Sequence, residues 1–225
     1  RFLELGASPV RTTVTGNIKF DVRPDPEVSR KGELLRDALF GTRPIWMAAS
    51  THDGEEQLVL DAHRSLLAKY PDLLLLLVPR HPERFNAVRL LLQRQAFNVV
   101  TRTQKSPCDA STEVFLVDTM GEVLLFYASS DIAFVGGSLV PIGGHNMLEP
   151  AVQGLPIISG PHLFNAQDIA DKMVELGACR IVSDSDELAD VVAGFIDDPA
   201  EAKRAGNKGM MALEQNRGSL ERLLV

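Results

Sequence analysis

"DIAFVGGSLVPIGGHNMLEPAVQGLPIISGP", residues 131–161, holds two short apolar runs around a glycine-rich loop. Apolar runs of this length, without polar alternation, fit strands buried on both faces. The segment between them predicts a short helix. Asn146 is a good N-cap, Pro150 is tolerated in a first turn, Gly154 ends the helix, and Pro156 prevents its continuation. The stretch therefore reads as strand, loop, helix, strand, the unit of a parallel sheet.

The same alternation extends in both directions. Strands are expected at 44–51, 73–81, 98–103, 114–119, 131–137, 156–161 and 179–184. Helices are expected at 33–40, from a capping box formed by Asp53 and Glu56, from Pro82 to about residue 95, through Leu124 and Tyr127, and at 165–176, 185–197 and 199–215. Residues 24–32 are polar and contain proline, so they read as a connection. Buried strands alternating with helices indicate one α/β domain, a Rossmann-like doubly wound parallel sheet. The opening "RFLELGASPV" reads as a helix end at Gly6 with no signal-peptide pattern, so the chain is expected to be a piece of a longer protein.

The chain has 225 residues, and its 30 Asp and Glu exceed its 23 Lys and Arg, giving a formal net charge of -7. Acidity of this size argues against a general nucleic-acid binder, which needs a basic face. Cys108 and Cys179 share no metal-type spacing and suggest a reduced compartment rather than a disulfide framework. The longest apolar run, residues 73–78, is too short to span a bilayer. The histidines at 52, 63, 81, 145 and 162 form no HxxxH or HExxH pair, so no zinc site is expected. There is no GxSxG elbow, GxGxxG fingerprint or GxxxxGK[ST] loop.

In an open α/β sheet, ligands sit beyond the carboxyl ends of the strands. Three features fall there: "GGS" (136–138), "GGHNMLEP" (143–150) and "VPRH" (78–81). Gly143 and Gly144 would allow close backbone approach, and the amides of the following helix would attract an anion such as phosphate. Asn146 and Glu149 also match a capping box, so Glu149 either satisfies a backbone amide or faces a ligand. Arg80 and His81 are either a solvated or salt-bridged strand end, or a cation and donor facing an anion. Ser50, Thr51 and His52 pose the same choice.

Longer stretches carry a resemblance. The segment "FVGGSLVPIGGHNMLEPAVQGLPIISGPHLFNAQDIADKM" (134–173) strongly resembles the carboxyl-terminal domain of bacterial 3-deoxy-D-manno-octulosonic acid (Kdo) transferases. So do "VTGNIKFD" (14–21), "AASTHDGEE" (48–56), "VPRHPERF" (78–85), "DTMGEVLLFYASSDIAF" (118–134) and "NRGSLERLL" (216–224), which are collinear and cover nearly the whole chain. The resemblance implies the C-terminal half of an inverting GT-B glycosyltransferase. This half would bind the donor CMP-Kdo without metal or cofactor, for transfer to a lipid A precursor in lipopolysaccharide biosynthesis.

Residues 1–22 would be an interdomain segment and 199–225 terminal helices. The absent N-terminal domain would hold the acceptor, the membrane-associated segment and the general base. No catalytic residue is therefore expected in this chain, and by itself it should be inactive. The parent protein would lie at the cytoplasmic face of the inner membrane, with this fragment soluble. By the same resemblance, Pro79 and Arg80 fall in the cytosine-binding segment, and Gly144, His145 and Asn146 in the loop near the phosphates. Glu149 would bind ribose hydroxyls. Ser50, Thr51, Met120 and Ser138 lie in flanking motifs, and Lys19 in the interdomain segment would meet the donor's charge. The competing readings are another GT-B enzyme, such as a UDP-sugar transferase or epimerase, and a catalytically silent nucleotide-binding or interaction domain.

Overall fold

The computed structural model describes residues 2–224. Seven strands form one sheet among these residues: β1 (Ile45–Thr51), β2 (Leu74–Pro79), β3 (Val99–Thr101), β4 (Val114–Leu116), β5 (Ile132–Val135), β6 (Ile157–Ser159) and β7 (Cys179–Ile181). The order is β3-β4-β2-β1-β5-β6-β7, and every pairing is parallel. From β1 the chain winds outward through β2, then returns to β5 on the other side of β1. The loops after β1 and β5 consequently diverge, which opens a crevice at the carboxyl ends of the central strands. The doubly wound parallel sheet expected from the apolar runs is present.

Nine α-helices flank the sheet among the described residues: α1 (Pro26–Leu39), α2 (Glu55–Leu67), α3 (Phe85–Arg94), α4 (Val123–Tyr127), α5 (Leu148–Val152), α6 (Gln167–Glu175), α7 (Ser185–Asp197), α8 (Pro199–Asn216) and α9 (Ser219–Leu223). On one face, Trp46, Leu75, Leu77 and Phe134 pack with Val59 and Leu66 of α2, Val88 of α3 and Val192 of α7. On the other, Met47, Leu74, Leu76 and Phe115 pack with Phe126 and Tyr127 of α4. Burial of these side chains on both faces explains the continuous apolar runs.

The region expected as a connection at 24–32 is mostly helix. Asp25 accepts from the Glu27 amide at 2.9 Å, and Pro26 occupies the first turn, where its missing N–H costs nothing. Glu27 then pairs with Arg30 and Lys31 one turn on, so polar residues cover a solvated helical face. Further along α1, Arg36 clasps both Asp131 oxygens at 2.8 and 2.9 Å, and Asp131 also accepts from the Ile45 amide at 2.8 Å. One carboxylate thereby ties α1 to the starts of β1 and β5.

Two helix starts also differ from expectation. Gly54, at φ 82, caps α2, so Asp53 and Glu56 form no capping box. Asp53 and the buried Glu56 instead both bind Arg84. Met147, not Asn146, directly precedes α5, although the Asn146 side chain still accepts from the Leu148 amide at 3.1 Å. At the amino end, the Gly6 amide donates to Leu3 and the Ala7 amide to Phe2, the hydrogen-bond pattern of a helix carboxyl terminus.

The fully buried His63 of α2 sits under the sheet. Its Nδ1 accepts from the Trp46 indole at 3.1 Å, which leaves Nε2 to donate to the Glu113 carbonyl at 2.9 Å. Both nitrogens are thus occupied in one neutral tautomer, and burial pushes the pKa down to about 3. An unfolded histidine protonates near pH 6.5, so below that value the unfolded chain binds a proton that the folded chain refuses. The neutral ring's contribution is complete above about pH 6.5 and is lost as pH falls toward 3. His63→Gln, which can keep both hydrogen bonds, should reduce the loss of unfolding free energy between pH 7.5 and 4.5 by roughly 2 kcal/mol. Denaturant titration at the two pH values checks this, and equal acid sensitivity of both proteins would refute it.

Candidate functional site

The loop after β5 is built around a carboxylate from another element. Glu55, the first residue of α2, is fully buried and points into the turn of residues 136–139. Its Oε2 accepts from the Gly137 amide at 2.7 Å, and its Oε1 accepts from the Ser138 and Leu139 amides at 3.0 and 2.9 Å. The His52 amide donates to it as well, at 3.3 Å. Burial raises the Glu55 pKa, while these amides act in the opposite direction. Three successive backbone donors form a nest for an anion, and the protein supplies that anion itself. "GGS" is therefore not an open phosphate cradle.

The glycines follow from this contact. A Cβ on Gly136 would lie 2.6 Å from Glu55 Oε2 and under 3 Å from the Ala49 and Ser50 carbonyls. Gly137 takes φ +67, and its Cβ would lie 2.9 Å from the His145 ring. Ser138 is also internal: its hydroxyl donates to the Val135 carbonyl and accepts from the Gly160 amide. Thr51 is buried and donates to Glu56. Neither of these two hydroxyls lines the crevice described next.

At the carboxyl ends of β1, β2, β4 and β5 lies a cavity of about 290 Å³. Ser50, Pro79, Arg80, Met120, His145, Asn146 and Glu149 line it, with Thr119 and Gly121 joining from the β4–α4 loop and Val123 from the start of α4. Seven expected site residues thus converge from the carboxyl ends of four strands and the segments that follow them. Arg80 is exposed, and its side chain makes no hydrogen bond or ion pair among the described residues. Ser50 holds φ 58, an unusual value for a serine, at a register shift in β1. A larger cavity of about 500 Å³ lies at the amino ends of the strands, around Ile45, Ile132 and the Arg36–Asp131 pair. It is remote from the crevice where α/β sheets bind ligands.

Glu149 faces Asn146, whose amide donates to it at 3.3 Å, and does not cap a backbone amide. Burial raises its pKa, and the Asn146 hydrogen bond and the Arg80 charge oppose that rise. Gly144 is buried, and its amide donates to the Gly137 carbonyl at 2.8 Å. A Cβ on Gly143 would strike Asn165 and Phe164, and one on Gly144 would strike Leu163. These two glycines fit one loop against the next, and the Gly144 amide is already engaged. Helix α5 has only five residues, and Asn146 takes one of its first amides, so the Arg80 side chain is the principal charge available to an anion.

Lys19 is not brought to this cavity. It sits on the 3-10 turn Ile18–Asp21, beside a separate shallow hollow with Asn17, Phe164 and Asn165. Two further participants carried little individual signal in the sequence. His52, after β1, stacks on His145 of the cavity wall, and His81, after β2, meets the His52 ring edge-on; neither lines the cavity itself. The shared pattern was a histidine in each of three strand-end loops: "STH", "PRH" and "GGH".

No family model matches the chain. It is 47% identical to the 3-deoxy-D-manno-octulosonic acid transferase of Haemophilus influenzae over all of its own length and 53% of that protein. It is also similar to a crystal structure described as the C-terminal CMP-Kdo binding domain of WaaA from Acinetobacter baumannii. That match has 35% identity and TM-score 0.78, covering 83% of this chain and 97% of the other. The chain belongs to the Kdo transferase family. It spans about half the length of the curated relatives it matches. The Anabaena HepE structure in complex with UDP and glucose is similar in fold, with TM-score 0.62 at 14% identity over 98% of this chain. The Rossmann-like fold is thus that of GT-B glycosyltransferases. No helix among the described residues is long and apolar enough to cross a membrane.

The internal anion makes a direct prediction for this family member. Glu55→Gln would turn an amide NH₂ toward at least one of the Gly137–Leu139 donors, leaving it unsatisfied. The expected loss is about 1–3 kcal/mol of unfolding free energy. Chemical denaturation measures it, and a loss below about 0.5 kcal/mol would mean that the turn does not depend on the carboxylate.

Proposed function

We propose that this domain binds the nucleotide-sugar donor CMP-Kdo and serves as the donor half of a Kdo transferase acting in lipopolysaccharide biosynthesis. The observation that carries the proposal is the convergence of Arg80, His145, Asn146 and Glu149 on one cavity at the switch point of the sheet. Kinship with Kdo transferases gives that cavity its substrate class.

Each residue then has a physical role. The Pro79–Arg80 segment meets the cytosine, with the unpaired guanidinium near enough to the phosphate to offset its charge. His145 and Asn146 add polar groups on the same side. Glu149, an acceptor only when ionised, takes hydrogen bonds from ribose hydroxyls, and its charge makes these stronger than neutral ones. Exposed Met120 covers the cavity from the β4–α4 loop. Arg80 would stabilise the departing CMP phosphate as negative charge develops on it, without a metal.

Acceptor binding and proton removal are assigned to the part of the transferase outside this chain. The acceptor is a lipid A precursor, and the parent enzyme works at the cytoplasmic face of the inner membrane. Residues 1–22, including Lys19, form the approach to that other domain. Attack of an acceptor hydroxyl on the anomeric carbon needs a base held within hydrogen-bond reach of that hydroxyl.

Calorimetry with CMP, UMP and AMP tests the reading. CMP should bind tightest, and Glu149→Gln should weaken it about tenfold, the equivalent of ~1.4 kcal/mol, while the melting temperature hardly moves because glutamine can still accept from Asn146. Equal affinity for the three nucleotides would count against a cytosine pocket. Unchanged affinity with lost stability would return Glu149 to a structural role.

A further inference from the structure

Three histidines from three loops cluster beside the donor cavity, which His145 lines. His52 follows β1, His81 follows β2, and His145 lies in the loop after β5. The Nε2 atoms of His52 and His145 are 2.7 Å apart, and their rings are parallel within 5°, with centroids 5.0 Å apart. His81 meets the His52 ring edge-on at 5.3 Å. Gly137 backs the pair, since a Cβ there would lie 2.9 Å from His145 Nε2 and 3.4 Å from His52 Cδ2. Glu55 holds the Gly137 amide in turn.

A nitrogen-to-nitrogen contact this short has one proton between the atoms. Two N–H groups would collide, and two bare nitrogens would repel. One imidazole therefore donates through Nε2 and the other accepts there in the form protonated at Nδ1. The donating ring keeps a bare Nδ1. A single proton from solvent can add at that Nδ1, giving the pair one positive charge with the shared hydrogen bond intact. A second would require Nε2–H on both rings and would break it.

We propose that His52 and His145 act as one proton-sharing unit that takes up a proton when an anionic nucleotide enters the cavity, with His52 as the positioning residue for His145. The inference rests on the donor-binding reading above. In the absence of an anion, the surroundings oppose the charge. Burial is the leading cause, joined by Arg80 and His81 around both rings and by Arg84 near His52; it holds His145 down to about 4 and lowers His52 as well. Asp53 and Glu56 are engaged by Arg84, and Glu55 by backbone amides, so neither loop offers the pair a free counter-charge. Among the described residues, Glu149 is the carboxylate that lines the cavity. A phosphate placed between Arg80 and His145 reverses this balance. The cation then forms beside the ligand's anionic oxygen, and binding and protonation favour one another.

The test is calorimetric titration of the chain with cytidine 5′-O-methylphosphate between pH 5.5 and 8, in two buffers of different ionisation enthalpy. This diester has no second ionisation, whereas a phosphate monoester titrates near pH ~6 and would obscure the result. Affinity should rise as pH falls, about tenfold between pH 8 and 6, with net proton uptake approaching one. Neutral cytidine should cause no uptake, which would assign the effect to the anion.

In His52→Gln the pH dependence should shrink to about threefold or less, whereas His81→Gln should retain it. A melting temperature within a few degrees of the parent would show that the His52 variant is folded. Diester binding without pH dependence or proton uptake would overturn the inference and leave the nucleotide reading standing. A pH slope undiminished in His52→Gln would also overturn it, by moving the proton to another group such as Glu149. Failure to bind any cytidine nucleotide at any pH would overturn both.

Discussion

The carboxylate of Glu55, buried at the first turn of α2, accepts hydrogen bonds from the backbone amides of Gly137, Ser138 and Leu139. Its position at a helix start is favourable for a negative charge, and its oxygens satisfy backbone donors that are buried at Gly137 and Ser138 and partly buried at Leu139. The contact crosses the switch point of the sheet. It links the loop after β1 to the loop after β5 at the place where their winding directions separate. Without a partner the turn at 136–139 would leave two buried donors and one partly buried donor unsatisfied. With Glu55 in place it becomes a fixed wall.

The crevice inherits its shape from that wall. Gly136 allows the carboxylate to approach, Gly137 supplies the surface on which His145 and His52 lie, and the Gly137 carbonyl accepts the Gly144 amide. The next loop is fastened from the same helix, because Glu56 and Asp53 both engage Arg84 beyond β2. Glu55 and Glu56 thus spend their charge inside the protein, and Asp53 spends its own on Arg84 at the surface. Arg80, which lines the cavity, stays unengaged among the described residues, and this division of charge leaves a cation in a site that Glu149 also lines.

Much of the fold was legible because parallel strands buried on both faces cannot be disguised: residues 73–78 could scarcely be anything else. The helix expected near 185–197 is present as Ser185–Asp197. The connection assigned to 24–32 failed because its helix is held by Asp25, Pro26 and surface ion pairs rather than by an apolar stripe. The seven cavity residues were reached through strand-end position and family motifs. Glu55 was not, because a buried acid whose partners are backbone amides leaves no complementary residue in the sequence. Adjacent Glu56 looked like the cap, and only packing reveals that both acids turn inward. The histidine pair was hidden for a related reason: its members are 93 positions apart and share only their place at the ends of neighbouring strands.

The glycine turn after β5 is occupied by the protein's own carboxylate, and in the proposed function an incoming nucleotide is met instead by the side chains around Arg80 and Glu149. A crystal structure of the chain soaked with CMP tests this most directly. The account predicts the phosphate near Arg80 and His145, the ribose hydroxyls at Glu149, and Glu55 still bonded to the amides of Gly137, Ser138 and Leu139. A phosphate seated on those amides, with the Glu55 side chain displaced, would contradict it.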